Sequence, residues 1–224
     1  GDKLPAVLNK DLPIVYAVPK EIEDPEEAAS QILAVLTDPI KNLEENLSKK
    51  TSSYKLLARK VDKETAKKIA ELNIKGIYTK EESSRFYPFG SRMSQVLGFV
   101  APNDENDGYV GRYGLESFYE DSLSGKDGQA SGNEVVGPEQ GENLNLTIDP
   151  NIQTEAQKIL TRLVTTKNAK SGSIIVQEPK TGKILAFENY PGFDPNDYGQ
   201  FDLEIFINQS IQGIYEPGSV FKVI

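Results

Sequence analysis

Between Gly125 and Gly141 the chain loses its apolar periodicity: glycine recurs at 125, 128, 132, 137 and 141 among polar residues and Pro138. Such a stretch offers few side chains to bury and many residues that leave helices and strands, so it is a linker or a long exposed hairpin. It splits the 224 residues into two modules. With a new helix start at Asp149-Pro150, the boundary falls near residue 143, giving domains 1–142 and 143–224.

On the first side, helix starts are readable. Asp24-Pro25-Glu26-Glu27 places a capping carboxylate, a proline at the first helical position and a glutamate at the third ahead of the stripe Ala28, Ile32, Leu33 and Leu36. Asp38-Pro39 repeats that start before Leu43 and Leu47, and Asp62 precedes Ala66, Ile69 and Ala70. Between them, Tyr54 to Lys60 and Gly76 to Tyr87 read as strands, so the module is α+β. On the second side, Asp149-Pro150 opens a helix whose apolar face is predicted as Ile152, Ala156, Ile159, Leu160 and Leu163. A hairpin follows, Ser173 to Gln177 and Lys183 to Glu188, joined by Pro179-Lys180-Thr181-Gly182.

Composition removes whole classes of chemistry. With no cysteine and no histidine, the chain can hold neither a Ser-His-Asp triad, a Cys nucleophile nor the His/Cys shell that usually binds zinc. Nucleophilic chemistry must then use Ser, Thr, Lys or a carboxylate, with Lys or Glu/Asp as proton acceptor. A net charge of −9 without a Lys/Arg cluster argues against nucleic acid as a partner. Apolar runs such as Ile174-Ile175-Val176 are far shorter than the roughly 20 residues that cross a bilayer.

One segment suits the remaining chemistry. Pro217-Gly218-Ser219-Val220-Phe221-Lys222 reads as a tight turn into the first turn of a helix, where residues three apart share a face. Lys222 can reach the Ser219 hydroxyl and take its proton once burial lets the lysine be neutral. Free backbone N–H groups at the helix start favour an oxyanion beside Ser219. Taken alone, the tetrapeptide is better read as an N-terminal helix serine with a solvated lysine.

Its surroundings separate the two. Tyr215 to Lys222 resembles the active-serine segment of class B penicillin-binding proteins, a Ser-x-x-Lys preceded by Pro-Gly. Thr181-Gly182-Lys183-Ile184-Leu185-Ala186, Pro191-Gly192-Phe193-Asp194-Pro195-Asn196 and Leu146-Thr147-Ile148-Asp149 resemble the opening of that family's transpeptidase domain. Arg85-Phe86-Tyr87-Pro88-Phe89-Gly90, Gly111-Arg112-Tyr113-Gly114-Leu115-Glu116 and Leu123-Ser124-Gly125 resemble segments of its N-terminal pedestal, or dimerisation, domain.

The resemblance implies an elongated α+β pedestal followed by the truncated beginning of a penicillin-binding/β-lactamase-like transpeptidase domain. It also implies a peptidoglycan D,D-transpeptidase, with Ser219 and Lys222 catalytic and no metal or organic cofactor. The implied partners are peptidoglycan stem peptides and β-lactams, with cell-wall synthesis and division proteins on the pedestal. The implied location is the extracytoplasmic side of the bacterial membrane, held by an anchor outside this chain. The family's Ser-x-Asn and Lys-Thr-Gly follow its active serine, whereas Ser131-Gly132-Asn133 and Lys180-Thr181-Gly182 precede Ser219, so neither is assigned to catalysis. Alone, the chain is expected to be inactive. The alternatives are a non-catalytic scaffold of the cell-wall machinery and a β-lactamase or β-lactam sensor that shares the serine motif.

Overall fold

The computed structural model describes residues 4–36, 42–103, 108–126, 128–131, 134–214, 216 and 218–223. The chain forms two compact units, one of residues 7–86 and one of residues 87–224 together with residues 1–6.

The first unit is a three-stranded antiparallel sheet backed by helices. Strand β1 (Leu8–Ala17) is central, with β2 (Lys55–Ala58) on one side and β3 (Ile77–Phe86) on the other. The β1–β3 register runs from Leu8 opposite Phe86 to Ala17 opposite Ile77. Helix α1 (Pro25–Leu33) starts where the sequence places it: the Asp24 carboxylate accepts the N–H groups of Glu26 at 3.1 Å and Glu27 at 3.0 Å. The start expected at Asp38-Pro39 lies outside the described residues, and α2 spans Leu43–Ser48. Helix α3 (Lys63–Glu71) is capped by Asp62, which accepts from Thr65 N at 2.9 Å. Alternation along β1 sends Val15 and Ala17 into a core with Ile22, Ile32, Leu47, Leu57 and Ile69. Tyr16 points the other way and stacks on Tyr54 with ring centroids 5.1 Å apart.

The second unit mixes short elements with one long helix. Helix α4 (Ser94–Leu97) leads into the hairpin of β4 (Phe99–Pro102) and β5 (Tyr109–Arg112), followed by α5 (Gly114–Phe118) and α6 (Glu120–Leu123). Gly98 sits at φ +75° where a Cβ would lie 2.1 Å from the Tyr113 carbonyl oxygen, so only glycine lets the backbones of α4 and α5 pass. The glycine-rich stretch forms a hairpin, β6 (Gln129–Ser131) with β7 (Glu134–Val136), extended by a bridge between Lys126 and Glu139.

Helix α7 (Pro150–Lys167) is capped by Asp149, whose carboxylate accepts from Asn151 N at 2.8 Å and Ile152 N at 3.1 Å. It packs on the antiparallel pair β8 (Gly172–Gln177) and β9 (Ile184–Tyr190). Its buried face corrects the prediction: Gln153, Ala156, Leu160 and Val164 face inward, while Ile152 and Leu163 are 36% and 46% exposed. Apolar side chains cover more than one stripe of this helix, and the stripe the hairpin uses begins with a glutamine.

Packing joins the two sides of residue 143. Tyr87, Met93, Leu97 and Phe99 are buried in the same unit as Phe193 and Phe206. The Phe99 ring lies 4.9 Å from that of Phe206 and stacks at 4.3 Å on Tyr198. Among the described residues no helix is long and apolar enough to cross a membrane.

Candidate active site

Ser219 and Lys222 lie on a short 3₁₀ helix, Gly218–Val223. With three residues per turn, side chains three apart eclipse, which puts the Lys222 stem directly over the Ser219 position. Both residues are exposed. Tyr215 and Pro217 of the serine segment lie outside the described residues. A serine and an amine one turn apart can act as nucleophile and proton acceptor, and the free N–H groups of a helix start can donate to an oxyanion.

The chain approaches this turn through a series of polar anchors. Residues Pro195–Gln200 and Leu203–Phe206 form two 3₁₀ helices, and α8 (Gln209–Gln212) follows, capped by Asn208. Asn189 on β9 holds this last piece: its Nδ2 donates to Asn208 Oδ1 at 3.2 Å, and its Oδ1 accepts from Ser210 Oγ at 2.6 Å and Ser173 Oγ at 2.8 Å. Earlier in the same run, Gln95 Nε2 donates to the carbonyls of Pro191 at 2.7 Å and Ile205 at 3.0 Å. Phe193 N donates to Ser94 Oγ at 3.2 Å. Asn196 spans back to Tyr87, accepting its N–H at 3.0 Å and donating to its carbonyl at 2.9 Å.

Among the described residues, Glu188 is the group whose charge state the fold changes most. It is 3% exposed, and burial pushes its carboxyl up to about 7. The N–H of Met93 at 3.1 Å, the Gln153 amide at 2.5 Å, nearby Arg92 and the Gln157 amide oppose that shift and do not cancel it. Glu188, Gln153, Gln95 and Asn189 were not singled out from the sequence. The available signals were a carboxylate directly after the apolar run Ile184-Leu185-Ala186-Phe187 and a glutamine in register with Ala156 and Leu160.

Lys180-Thr181-Gly182 forms the β8–β9 turn, with Gly182 N donating to Glu178 O at 2.9 Å and Lys180 exposed. Of Ser131-Gly132-Asn133, residues 132 and 133 lie outside the described residues. Two residues of the pedestal-like segments have structural partners: Arg85 donates to Asn9 Oδ1 at 3.0 Å, and buried Glu116 accepts the Tyr87 hydroxyl at 3.2 Å. Among the described residues there is no group of three or more His, Cys, Asp or Glu side chains that could hold a metal ion.

Comparison with known proteins matches residues 4–146 to the penicillin-binding protein dimerisation domain and residues 172–224 to the penicillin-binding protein transpeptidase domain. The chain is 33% identical to stage V sporulation protein D of Bacillus subtilis (strain 168), over 96% of this chain and 35% of that protein. It is 34% identical to the probable peptidoglycan D,D-transpeptidase PenA of Neisseria meningitidis, over 99% of this chain and 40% of that protein. Identity to the peptidoglycan D,D-transpeptidase FtsI of Escherichia coli (strain K12) is 26%, over 97% of this chain and 39% of that protein. The chain thus spans between 35% and 40% of the length of these relatives.

Proposed function

Because the chain belongs to the class B penicillin-binding proteins, we propose that it forms the pedestal and the serine-bearing opening of the catalytic domain in a peptidoglycan D,D-transpeptidase. The observation that carries this is the pairing of Ser219 with Lys222 on one 3₁₀ turn, within the segment that matches the transpeptidase domain. Lys222 takes the Ser219 proton as the serine oxygen attacks the penultimate D-alanine carbonyl of a stem peptide. The backbone N–H of Ser219 helps hold the oxyanion, D-alanine leaves with the returned proton, and an amine of a neighbouring strand resolves the acyl-enzyme. A β-lactam acylates the same oxygen. This chemistry calls for no metal or organic cofactor.

Residues 1–142 serve as the pedestal, carrying contacts to cell-wall synthesis and division proteins, and residues 143–224 begin the catalytic domain. The matches at residues 4–146 and 172–224 support that division. The protein works on the extracytoplasmic side of the membrane, where its substrate lies. Residues 1–224 alone are inactive, because Ser219 and Lys222 stand exposed here and a lysine acts as base only when withdrawn from water.

Intact-mass spectrometry of the full-length protein with benzylpenicillin tests the reading. The wild type gains one penicilloyl mass, and Ser219→Ala gains none. A wild type that stays unlabelled replaces the enzyme by the non-catalytic scaffold.

A further inference from the structure

Five buried residues in a row of contacts connect the turn at Ser91–Gln95 with the transpeptidase-like part of the chain. Glu188 accepts the Met93 N–H and the Gln153 amide through one oxygen, Oε2. Gln153 Oε1 in turn accepts Phe187 N at 2.8 Å, tying α7 to β9. Met93 is held at φ 58°, a left-handed conformation that a residue with a side chain keeps only where its surroundings enforce it. The next two residues, Ser94 and Gln95, then grip Phe193 N and the carbonyls of Pro191 and Ile205. Through Ile205 the run reaches Asn208 and α8, the last helix before the serine turn.

We propose that Glu188 is a positioning residue for Ser219: by fixing Met93 it sets the turn Ser91–Gln95 on which residues 191–208 are laid, and its protonation state tunes how firmly that turn is held. The inference rests on the reading of Ser219 as the nucleophile.

The chemistry follows from what faces the carboxylate. Arg92, from the turn itself, is the charged group beside it; α7 presents the amides of Gln153 and Gln157; β8 places Ile174 opposite it in register. Arg92 is partly engaged elsewhere, donating to Thr154 Oγ1 at 2.9 Å and lying 5.2 Å from the centroid of the Phe89 ring. An ionised Glu188 keeps charge-assisted hydrogen bonds to Met93 and Gln153, but they do not repay its lost hydration, so the turn closed over it is held most firmly when the acid is protonated. Since burial brings its titration to about 7, the exchange between the firm and the slack turn falls within ordinary extracytoplasmic pH.

The test uses the full-length protein and the second-order rate constant of benzylpenicillin acylation between pH 5.5 and 8.5, for wild type, Glu188→Gln and Arg92→Met. Glu188→Gln keeps the shape and the acceptor while removing the titration. We expect the ratio of wild type to Glu188→Gln to fall roughly threefold or more as pH rises across that range, with its midpoint near 7. In Arg92→Met the midpoint moves to higher pH, because a cation that favours the ionised form is gone. Any pH dependence common to all three proteins cancels in the ratios. A flat ratio in a protein that is acylated overturns this inference and leaves the functional reading standing. If Glu188→Gln does not fold, an unchanged midpoint in Arg92→Met overturns it instead. A wild type that is never acylated removes the functional reading and this inference together.

Discussion

The Glu188 carboxylate accepts the backbone N–H of Met93 at 3.1 Å across 95 residues of sequence. A carboxylate in that place must lose its hydration, and its bonds to Met93, Gln153 and Arg92 only partly replace it.

The stability of residues 1–224 should therefore depend on pH in an unusual direction for a glutamate. A folded-state pKa raised from 4.5 to about 7 means that the fold prefers the protonated form. Glu188's contribution is fully present below the unfolded value and is lost as pH rises from about 4.5 to about 7, by on the order of 3 kcal/mol. Urea unfolding monitored at intervals from pH 4.5 to 8 should show that slope for wild type and a flatter curve for Glu188→Gln. A wild-type curve that rises through this window contradicts the assignment.

Two leucines of α7, three positions apart, should behave differently. Leu160 is 4% exposed and Leu163 is 46% exposed. Leu160→Ala should cost about 2–5 kcal/mol, as deletions in packed cores do. Leu163→Ala should fall within about 0.5 kcal/mol plus a small gain from helix propensity. Equal losses in denaturant titrations would return the buried face to the one predicted from the sequence.

Gly98→Ala meets two penalties at once, a φ of +75° and a Cβ 2.1 Å from the Tyr113 carbonyl oxygen. We expect a loss of about 3 kcal/mol or more, or failure to fold. Gly199→Ala has nothing within 4 Å and should change stability by less than about 1 kcal/mol. Differential scanning calorimetry of the pair reads the contrast.

In the full-length protein, Lys222→Ala should slow benzylpenicillin acylation by about 10²–10⁴-fold while the serine can still be labelled at long times. Stopped-flow or quenched mass measurements separate that outcome from the complete loss expected of Ser219→Ala. An unchanged acylation rate in Lys222→Ala would assign the proton to another acceptor.

Local signals were legible in the sequence where one side chain decides the outcome. Asp24, Asp62 and Asp149 each cap the helix that the sequence assigns to them, because a cap needs only a carboxylate and the next three residues. Pairing of Ser173–Gln177 with the strand after Gly182 was equally local, set by a short turn. Choice among stripes on α7 was not local. Ile152 and Leu163 are as apolar as Leu160, and which of them is buried depends on where β8 and β9 lie. Glu188 was invisible as a buried group for a related reason: the strand expected from the sequence ends at this charge, as strands do at the surface, whereas β9 continues to Tyr190 and the turn at Met93 closes over Glu188. That Ser219 and Lys222 share one turn was legible from their spacing alone.

The place where packing breaks, between Phe86 and Tyr87, differs from the place where the matched families meet, between residues 146 and 172. A gene cut at codon 146 would strand Met93, Leu97 and Phe99 without Phe193 and Phe206, and would leave Gln95 with no carbonyls to hold. A crossover at codon 86 would instead carry away a whole sheet with its own core. Exchange between related genes should therefore tolerate junctions at the first place and reject them at the second, so that inheritance follows the units of folding more closely than the units of family resemblance.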